Sequence, residues 1–444
     1  MKTFRIGGVH PHENKLSAGQ KIQNVPLPKQ AVVLLAQHLG APATPVVEKG
    51  TEVKVGQLIA TASGFISANV HSPVSGKVAK IDTIVDGWGM KTPAVFIDVE
   101  GDEWLETIDR SEKVDTICKL EPAEIVKKVG EAGIVGLGGA CFPTHVKLSP
   151  PPGKKAEVLI VNGVECEPYL TCDHQLMLEH GEEIMVGISI IMRAIGVTKA
   201  IIGIENNKPD AIKHMTDLAS KVMGVEVLPL KLKYPQGGEK QLIDACIHRQ
   251  VPSGALPIEV GAVVQNVATV YAVYEAVQKN KPLIDRVVTV TGKSVAKPGN
   301  FRVRFGTPLN DILAMAGGVP ENTGKIIAGG PMMGRAMSNT DMPANKRISG
   351  LLLMPLEESK RKEPQNCIRC AKCVSACPMG LEPYMLAKQA GLGLWNEMEA
   401  THVMDCIECG CCLFTCPSNR PLLDYIRMGK NKVGGIIRAR NMKK

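Results

Sequence analysis

The sequence predicts a multidomain α/β protein in which a strand–helix layer is flanked by β-rich segments and followed by a cysteine-dense helical region. Three observations carry that prediction. Short apolar runs alternate with helical patterns between about Glu121 and Asn280, and β segments punctuated by Gly, Ser and Pro lie on either side. Nine of the 14 cysteines fall between Cys367 and Cys416. A length of 444 residues leaves room for about three domains of roughly 150 residues each.

Residues 1–115 form the first unit. Within it, Gly50 to Ile81 carries a V-x-x-G-Q…S-P-x-x-G-x-V pattern that resembles the barrel-sandwich fold of biotinyl and lipoyl carrier domains. A carrier needs a lysine at its hairpin tip, and none lies between Lys54 and Lys77, so this unit reads as scaffold. Residues 116–283 form the α/β unit. Ala156–Gly163, Lys199–Ile204 and Val225–Leu230 are apolar runs suited to strands covered on both faces, with helices predicted near His174–Ile195 and Pro209–Met223. That alternation implies a Rossmann-like parallel sheet, whose ligands gather at the carboxyl ends of its strands. Residues 284–350 return to β texture with one short helix at TPLNDILAMAG, and resemble a β-grasp ligand-binding domain. Pro355 to Gln365 reads as a linker into the cysteine-rich unit at 360–425, and 426–444 as a basic tail.

The net charge is +8, and Ser418 to Lys444 holds eight Lys/Arg against Asp424 alone. The basicity therefore belongs to a solvated, frayed terminal segment, or to one docking on an acidic partner or anionic lipid. An aromatic fraction of 4% argues against stacking platforms for single-stranded nucleic acid. The N-terminus lacks the apolar core of a secretory signal. The richest apolar stretch, Ile184 to Val197, is short and holds Arg193, so no transmembrane segment is expected. Cysteine here points to reducing, cytoplasmic chemistry rather than to disulfide staples.

The run Cys367-x2-Cys370-x2-Cys373-x3-Cys377-Pro378 recurs as Cys406-x2-Cys409-x2-Cys412-x3-Cys416-Pro417. This spacing is that of bacterial ferredoxins binding 4Fe–4S clusters, in which the fourth cysteine ligates the other cluster. Cys367, Cys370, Cys373 and Cys416 are thus expected on one cluster, and Cys406, Cys409, Cys412 and Cys377 on the second. Structural zinc is the rival for thiolate sets, but two complete runs fit an α-helical two-cluster domain better. Cys411 reads as a packing residue. Two neighbouring clusters make an electron conduit, which needs a terminal at each end.

One candidate terminal is the glycine-rich Gly136-Leu-Gly-Gly-Ala-Cys-Phe-Pro-Thr-His-Val-Lys147. Glycines let backbone amides approach a phosphate or flat ring, and Lys147 brings a positive charge. Three further segments follow in order: Asn162-Gly-Val-Glu165-Cys-Glu167, Tyr234-Pro-Gln-Gly-Gly-Glu239, and Gln265-Asn266-Val-Ala-Thr269. Together they resemble the flavin- and NADH-binding subunit family of respiratory complex I. The resemblance is closer to the RnfC family of Rnf complexes, membrane-bound ion-translocating ferredoxin:NAD oxidoreductases, where the same order of domains occurs. The opening FRIGGVHPHENK also looks like that family's N-terminus.

The resemblance implies noncovalent FMN near Gly136, Gly138, Lys147, Asn162, Glu165, Tyr234 and Asn266. Phe142 and Glu239 would face the nicotinamide nucleotide, NAD(H) being the substrate. It also implies a peripheral oxidoreductase on the cytoplasmic face of the cell membrane, with other Rnf subunits as partners and ferredoxin reached through them. Hydride transfer between nicotinamide and flavin needs no side-chain acid or base, so no catalytic residue is named. Val164 and Gly238 depart from the complex I pattern, which holds an aspartate and a glutamate there. Two alternatives remain open at this point: a flavin/iron–sulfur cobalamin reductase of a bacterial microcompartment, and an electron-transfer adaptor that is not an enzyme. His145 reads as an exposed loop residue, Cys141, Cys166 and Cys172 as small buried residues, and His10–His12 as a surface loop.

Overall fold

The computed structural model describes residues 1–442. In the first unit an antiparallel sheet of Gln30–Leu34, Lys91–Val99, Gly76–Val85 and Glu52–Val53 faces a smaller one of Thr44–Pro45, Leu58–Thr61 and Val70–His71. Alternating residues such as Ala31, Val33, Ile59, Val78, Val95 and Ile97 fill the space between them, the period-2 pattern of strands with one buried face. The first residues do not join this unit. Ile22–Asn24 pairs in parallel with Gly299–Arg304 of the third unit, and residues 2–9 run along the α/β unit, where Lys2 bridges to Leu230 and Val9 to Tyr234.

The α/β unit starts with α1 (Pro122–Glu131), opened by a Glu121/Glu124 capping box and a proline in its first turn. Its elements then run β1 (Val158–Asn162), α2 (Cys172–Glu179), α3 (Gly181–Ile195), β2 (Ala200–Glu205), α4 (Pro209–Ala219), β3 (Val225–Leu230), α5 (Glu239–Ile247), β4 (Ala262–Asn266) and α6 (Val267–Gln278). All four strands are parallel, in the order β3-β2-β1-β4. The single helix expected over His174–Ile195 is two helices, because His180 leaves helical geometry at φ −128° and its ring bonds Glu183 in the next first turn. α3 is apolar on nearly every side and is buried accordingly, ending where Gly196 turns left-handed at φ 69°. The strand β4 carried no separate sequence signal; only the helix it feeds did.

The third unit is a six-stranded mixed sheet, Ile22–Asn24, Gly299–Arg304, Asp285–Thr291, Gly350–Pro355, Thr323–Ala328 and Arg335–Ala336 in spatial order, packed by α7 (Leu309–Met315). Where it meets the first two units lies Lys346, almost fully buried, whose Nζ donates to Gly133 O at 2.7 Å and Asn69 O at 3.1 Å. Burial pushes its ammonium down to about 7. The unfolded chain holds that proton up to about pH 10, the folded chain only to about pH 7. Between those values unfolding takes up a proton, so stability should rise with pH by on the order of 1 kcal/mol per unit. Urea midpoints from pH 7 to 9 check this: the slope should be lost in Lys346→Met, and an identical slope in both proteins refutes it.

The cysteine-rich unit packs α8 (Pro383–Gly391) and α9 (Trp395–Ala400) on α10 (Leu422–Asn441) around Leu386, Ala390, Met398, Val403, Leu422, Ile426 and Val433. The frayed basic tail is thereby corrected. Leu422, Ile426, Gly429 and Val433 recur at helical spacing and are buried, so the segment is the long helix of this core; Lys443 and Lys444 lie outside the described residues. No helix among the described residues is long and apolar enough to cross a membrane.

Candidate functional site

Chain order makes a crevice in the α/β sheet. From β1 the chain moves to β2 and β3 on one side, then returns to β4 on the other. The switch point therefore lies between the carboxyl ends of β1 and β4, where open parallel sheets bind ligands. Asn162 and Asn266 are the last residues of those strands and stand opposite each other in register. Asn266 also caps α6, its Oδ1 accepting from Ala268 N at 2.9 Å while Nδ2 donates to Asp173 Oδ2 at 2.7 Å. Asn162 donates to Gly237 O at 2.8 Å and accepts from Val164 N at 3.2 Å. Both amides are thus held by fixed partners.

The glycine-rich loop folds over this edge. Gly136 N donates to Phe142 O at 2.9 Å and closes the loop, with Phe142 half-buried at its base. Leu137 is gripped on both sides: its N–H donates to Thr269 Oγ1 at 2.9 Å, and its carbonyl accepts from Arg286 Nη2 at 3.0 Å. Gly138 and Gly139 form the exposed tip. A side chain on Gly138 would come within 2.7 Å of the Asn266 amide, whereas Gly139 faces open space. Lys147 reaches the same edge, donating to Glu239 Oε1 at 2.6 Å and Val264 O at 3.3 Å, with both charged groups partly open to solvent. Exposed loop amides, a lysine and the N-terminus of α6 suit a phosphate-bearing planar cofactor.

Two of the predicted residues are committed elsewhere. Glu165 accepts from Asp173 N at 2.8 Å and His174 N at 3.2 Å, so its carboxylate serves the first turn of α2. Tyr234 is buried, and its hydroxyl donates to Cys409 O at 2.9 Å, with Glu167 Oε1 at 3.4 Å. It joins the crevice to the cysteine-rich unit. His145 is half-buried beside Gly130, not an exposed loop residue. Three residues support the site; Glu167 lies in the segment the sequence singled out, whereas Lys15 and Arg286 were given no role there. Lys15 gathers the carbonyls of Glu165, Glu167 and Leu170 at 2.7–2.9 Å, Arg286 holds the loop, and Glu167 accepts from Met332 N and Met333 N at 3.1 and 2.7 Å. Burial pushes the Glu167 carboxyl up to about 7.

In the cysteine-rich unit, Cys377, Cys406, Cys409 and Cys412 line one apolar cavity with Met379, Leu381 and Ile426. Leu381 N and Glu408 N donate to Cys377 Sγ and Cys406 Sγ, both at 3.4 Å. Burial pushes the Cys406 thiol up to about 11, so this residue would need a cationic centre to stand as a thiolate at neutral pH. Equivalent positions of the two runs share left-handed backbone: Arg369 and Ala371 at φ 54° and 56°, Glu408 and Gly410 at 57° and 80°. Such turns aim successive amides at one point, a habit of iron–sulfur sites. Cys367 and Cys370 are exposed, Cys373 and Cys416 half-buried. Cys411 is fully buried against Val9, Tyr234 and Ala376.

The N-terminal strap closes the junction. Gly8 N donates to Ala376 O at 2.9 Å, and Val9 exchanges both backbone hydrogen bonds with Tyr234 at 2.8 and 2.9 Å. Gly7, at φ 67°, passes so near Cys377 O that a side chain there would collide with backbone.

Four family models match the chain in order: the RnfC barrel sandwich hybrid domain over residues 2–102, the Nuo51 FMN-binding domain over 129–275, the SLBB domain over 287–336 and a 4Fe-4S dicluster domain over 359–420. The C component of a proton-translocating ferredoxin:NAD(+) oxidoreductase complex from Clostridium ljungdahlii is 47% identical, covering 97% of this chain and 94% of that one. Its counterpart in a Na(+)-translocating complex of Acetobacterium woodii is 42% identical, covering 97% of both. The matching component of an ion-translocating oxidoreductase complex from Rhodobacter capsulatus is 40% identical over 98% of this chain and 84% of its own. On that similarity, sustained through every unit of the fold, the chain belongs to the RnfC family of ion-translocating ferredoxin:NAD(+) oxidoreductase complexes.

Proposed function

We propose that the chain is the peripheral electron-transfer component of an ion-translocating ferredoxin:NAD oxidoreductase. It exchanges electrons with NAD(H), and works beside the complex's other subunits on the cytoplasmic face of the membrane. The observation that carries this reading is the buried contact between the α/β unit and the cysteine-rich unit: Tyr234, on the same loop as the Gly237 carbonyl that holds Asn162, donates to Cys409 O.

FMN, when bound, supplies the exchange between the electron pair of a nicotinamide and the single electrons of iron–sulfur clusters. The chain's own residues do the holding. Gly136 closes the base of the loop while its tip at Gly138 presents amides, Lys147 and the start of α6 offer positive charge, and Asn162 and Asn266 set the edge of the crevice. Phe142 and Glu239 stand at the side open to a nucleotide. The eight cysteines at 367, 370, 373, 377, 406, 409, 412 and 416 hold two 4Fe–4S clusters with Cys377 and Cys416 crossed. Residues 284–350 serve as a β-grasp brace, since Arg286 reaches from there to the loop.

Anaerobic purification with flavin and iron analysis tests this. About one FMN and about eight irons per chain, with NADH-dependent reduction of an artificial acceptor, are expected. Zinc at the cysteines, or no flavin after reconstitution, would refute it.

A further inference from the structure

The loop that follows β1 gives its carbonyls to two lysines. Lys15 Nζ takes those of Glu165, Glu167 and Leu170, and Lys208 Nζ takes that of Val164 at 2.7 Å. Lys208 is buried, and so is Glu205, the last residue of β2. Glu205 Oε1 accepts from Lys233 N at 3.3 Å, but Oε2 has no hydrogen-bond partner among the described residues. Lys208 Nζ stands 3.9 Å from it. Glu205 lines a cavity with Lys15, Cys166, Tyr234 and Asn207, and the exposed His10 lies at its outer end. Glu13 closes the rim, accepting from Asn207 Nδ2 at 2.7 Å, while Asn207 Oδ1 accepts from Lys208 Nζ at 3.0 Å. A buried carboxylate oxygen facing such a cavity is costly unless water or a proton satisfies it.

Position adds to chemistry. Gly203 of β2 stands in register with Asn162 of β1, so Glu205 lies two residues past the crevice edge, its Cα about 8 Å from that of Asn162. A hydride delivered to the crevice brings two electrons and one proton, a net gain of one negative charge. In a low-dielectric site that charge raises the proton affinity of nearby acids. We propose that Glu205 is a redox-linked proton-uptake site, filled from solvent through the cavity at His10 and Glu13 when the flavin crevice is reduced. This rests on the flavin reading above and deepens it. NADH gives up a hydride and leaves as NAD+, the crevice keeps the electron pair, and Glu205 binds one proton taken from water. When the electrons pass singly to the clusters, the carboxyl returns that proton by the same route. Burial holds the Glu205 carboxyl up to about 7 and the Lys208 ammonium down to about 8, so a proton is exchanged near neutral pH at little cost. The groups around this carboxyl are Lys208 before α4, Lys233 after β3, Cys166 after β1, and His10, Glu13 and Lys15 from the N-terminal segment. Lys208 and Lys15 favour the carboxylate and Glu13 favours the acid, while burial keeps the Cys166 thiol neutral.

The test is electrochemically driven infrared difference spectroscopy on the full chain, reconstituted anaerobically with FMN and iron–sulfur clusters. Reduction should produce the carbonyl-stretch band of a protonated carboxyl, shifted in D2O and strongest between about pH 7 and 8. In Glu205→Gln that band should be lost. A pH-indicator dye should then show about half a proton less taken up per NADH oxidised at about pH 7.5, with FMN and iron per chain unchanged. Should Glu205→Gln bind FMN poorly, Glu205→Asp serves, and there the band should move rather than vanish. A band that persists unmoved in either variant, or no such band in the unmodified chain, would overturn the site. Failure of the underlying reading looks different: the unmodified chain would retain no flavin and show no flavin bleaching on reduction, which overturns the site with it.

Discussion

Replacing Cys377 by serine is expected to remove the cluster of the second cysteine run, although Cys377 belongs to the first. In the fold Cys377 shares a cavity with Cys406, Cys409 and Cys412, and the strap at Gly7 and Gly8 presses on its backbone. Iron should fall from about eight to about four per chain. The lost cluster is the flavin-side one, so addition of NADH should no longer give the paramagnetic signal of a reduced cluster. Cys370→Ser should also cost about four irons yet keep the NADH-induced signal. Iron analysis and low-temperature EPR of both variants decide the matter. If Cys377→Ser keeps the NADH-induced signal while Cys370→Ser abolishes it, the crossed ligation and the order of the conduit are both wrong.

The second large effect is expected from Arg286→Met. The guanidinium is buried, donating to Leu137 O at 3.0 Å and to Lys346 O as well. Its removal strands the buried Leu137 carbonyl, costing about 1–3 kcal/mol, leaves Lys346 O with the Cys141 thiol as its donor, and frees one side of the glycine-rich loop. Loosening that loop by about 1.4–2.8 kcal/mol weakens FMN binding about ten- to a hundredfold. Arg286→Lys, which keeps a donor but not the fork, should recover part of the loss. Titration of FMN into deflavinated protein, read by quenching of flavin fluorescence, measures it. An unchanged dissociation constant in Arg286→Met would show that the loop does not depend on this contact.

The sequence was most legible where chemistry dictates spacing. The two cysteine runs could be read directly because a cubane needs its thiolates at short, fixed intervals, whatever the rest of the chain does. Asn162 was legible for a different reason: an apolar strand run ends there, and strand ends in parallel sheets are where function collects; Asn266 was legible only through the resemblance carried by Gln265–Thr269, because the strand that ends at it left no signal of its own. Other residues left no local trace. Lys15, Arg286 and Lys346 each satisfy carbonyls far away in the chain, and an isolated lysine or arginine looks the same whether it is solvated or buried. The helix at 422–441 was obscured by its own charge. Six positive residues lie in the described part of the segment from Ser418 onward, and they hide an apolar stripe only four residues long. Two of them, Arg427 and Lys430, neutralise Glu408 beside a ligand cysteine, a purpose that composition cannot express.

The strap that binds Tyr234 on one side and Ala376 on the other has a consequence for biogenesis. Residues 7–9 leave the ribosome early, but half of their binding groove does not exist until the cysteine-rich unit has been made. Domains generally fold as they emerge, amino end first, so the α/β sheet must wait with an unfilled seam until the metal-bearing domain arrives. A cell short of iron should therefore accumulate a species whose sandwich and sheet are formed but whose segment 7–9 is held from the α/β side alone. Proteolysis of that peptide would then report cluster insertion.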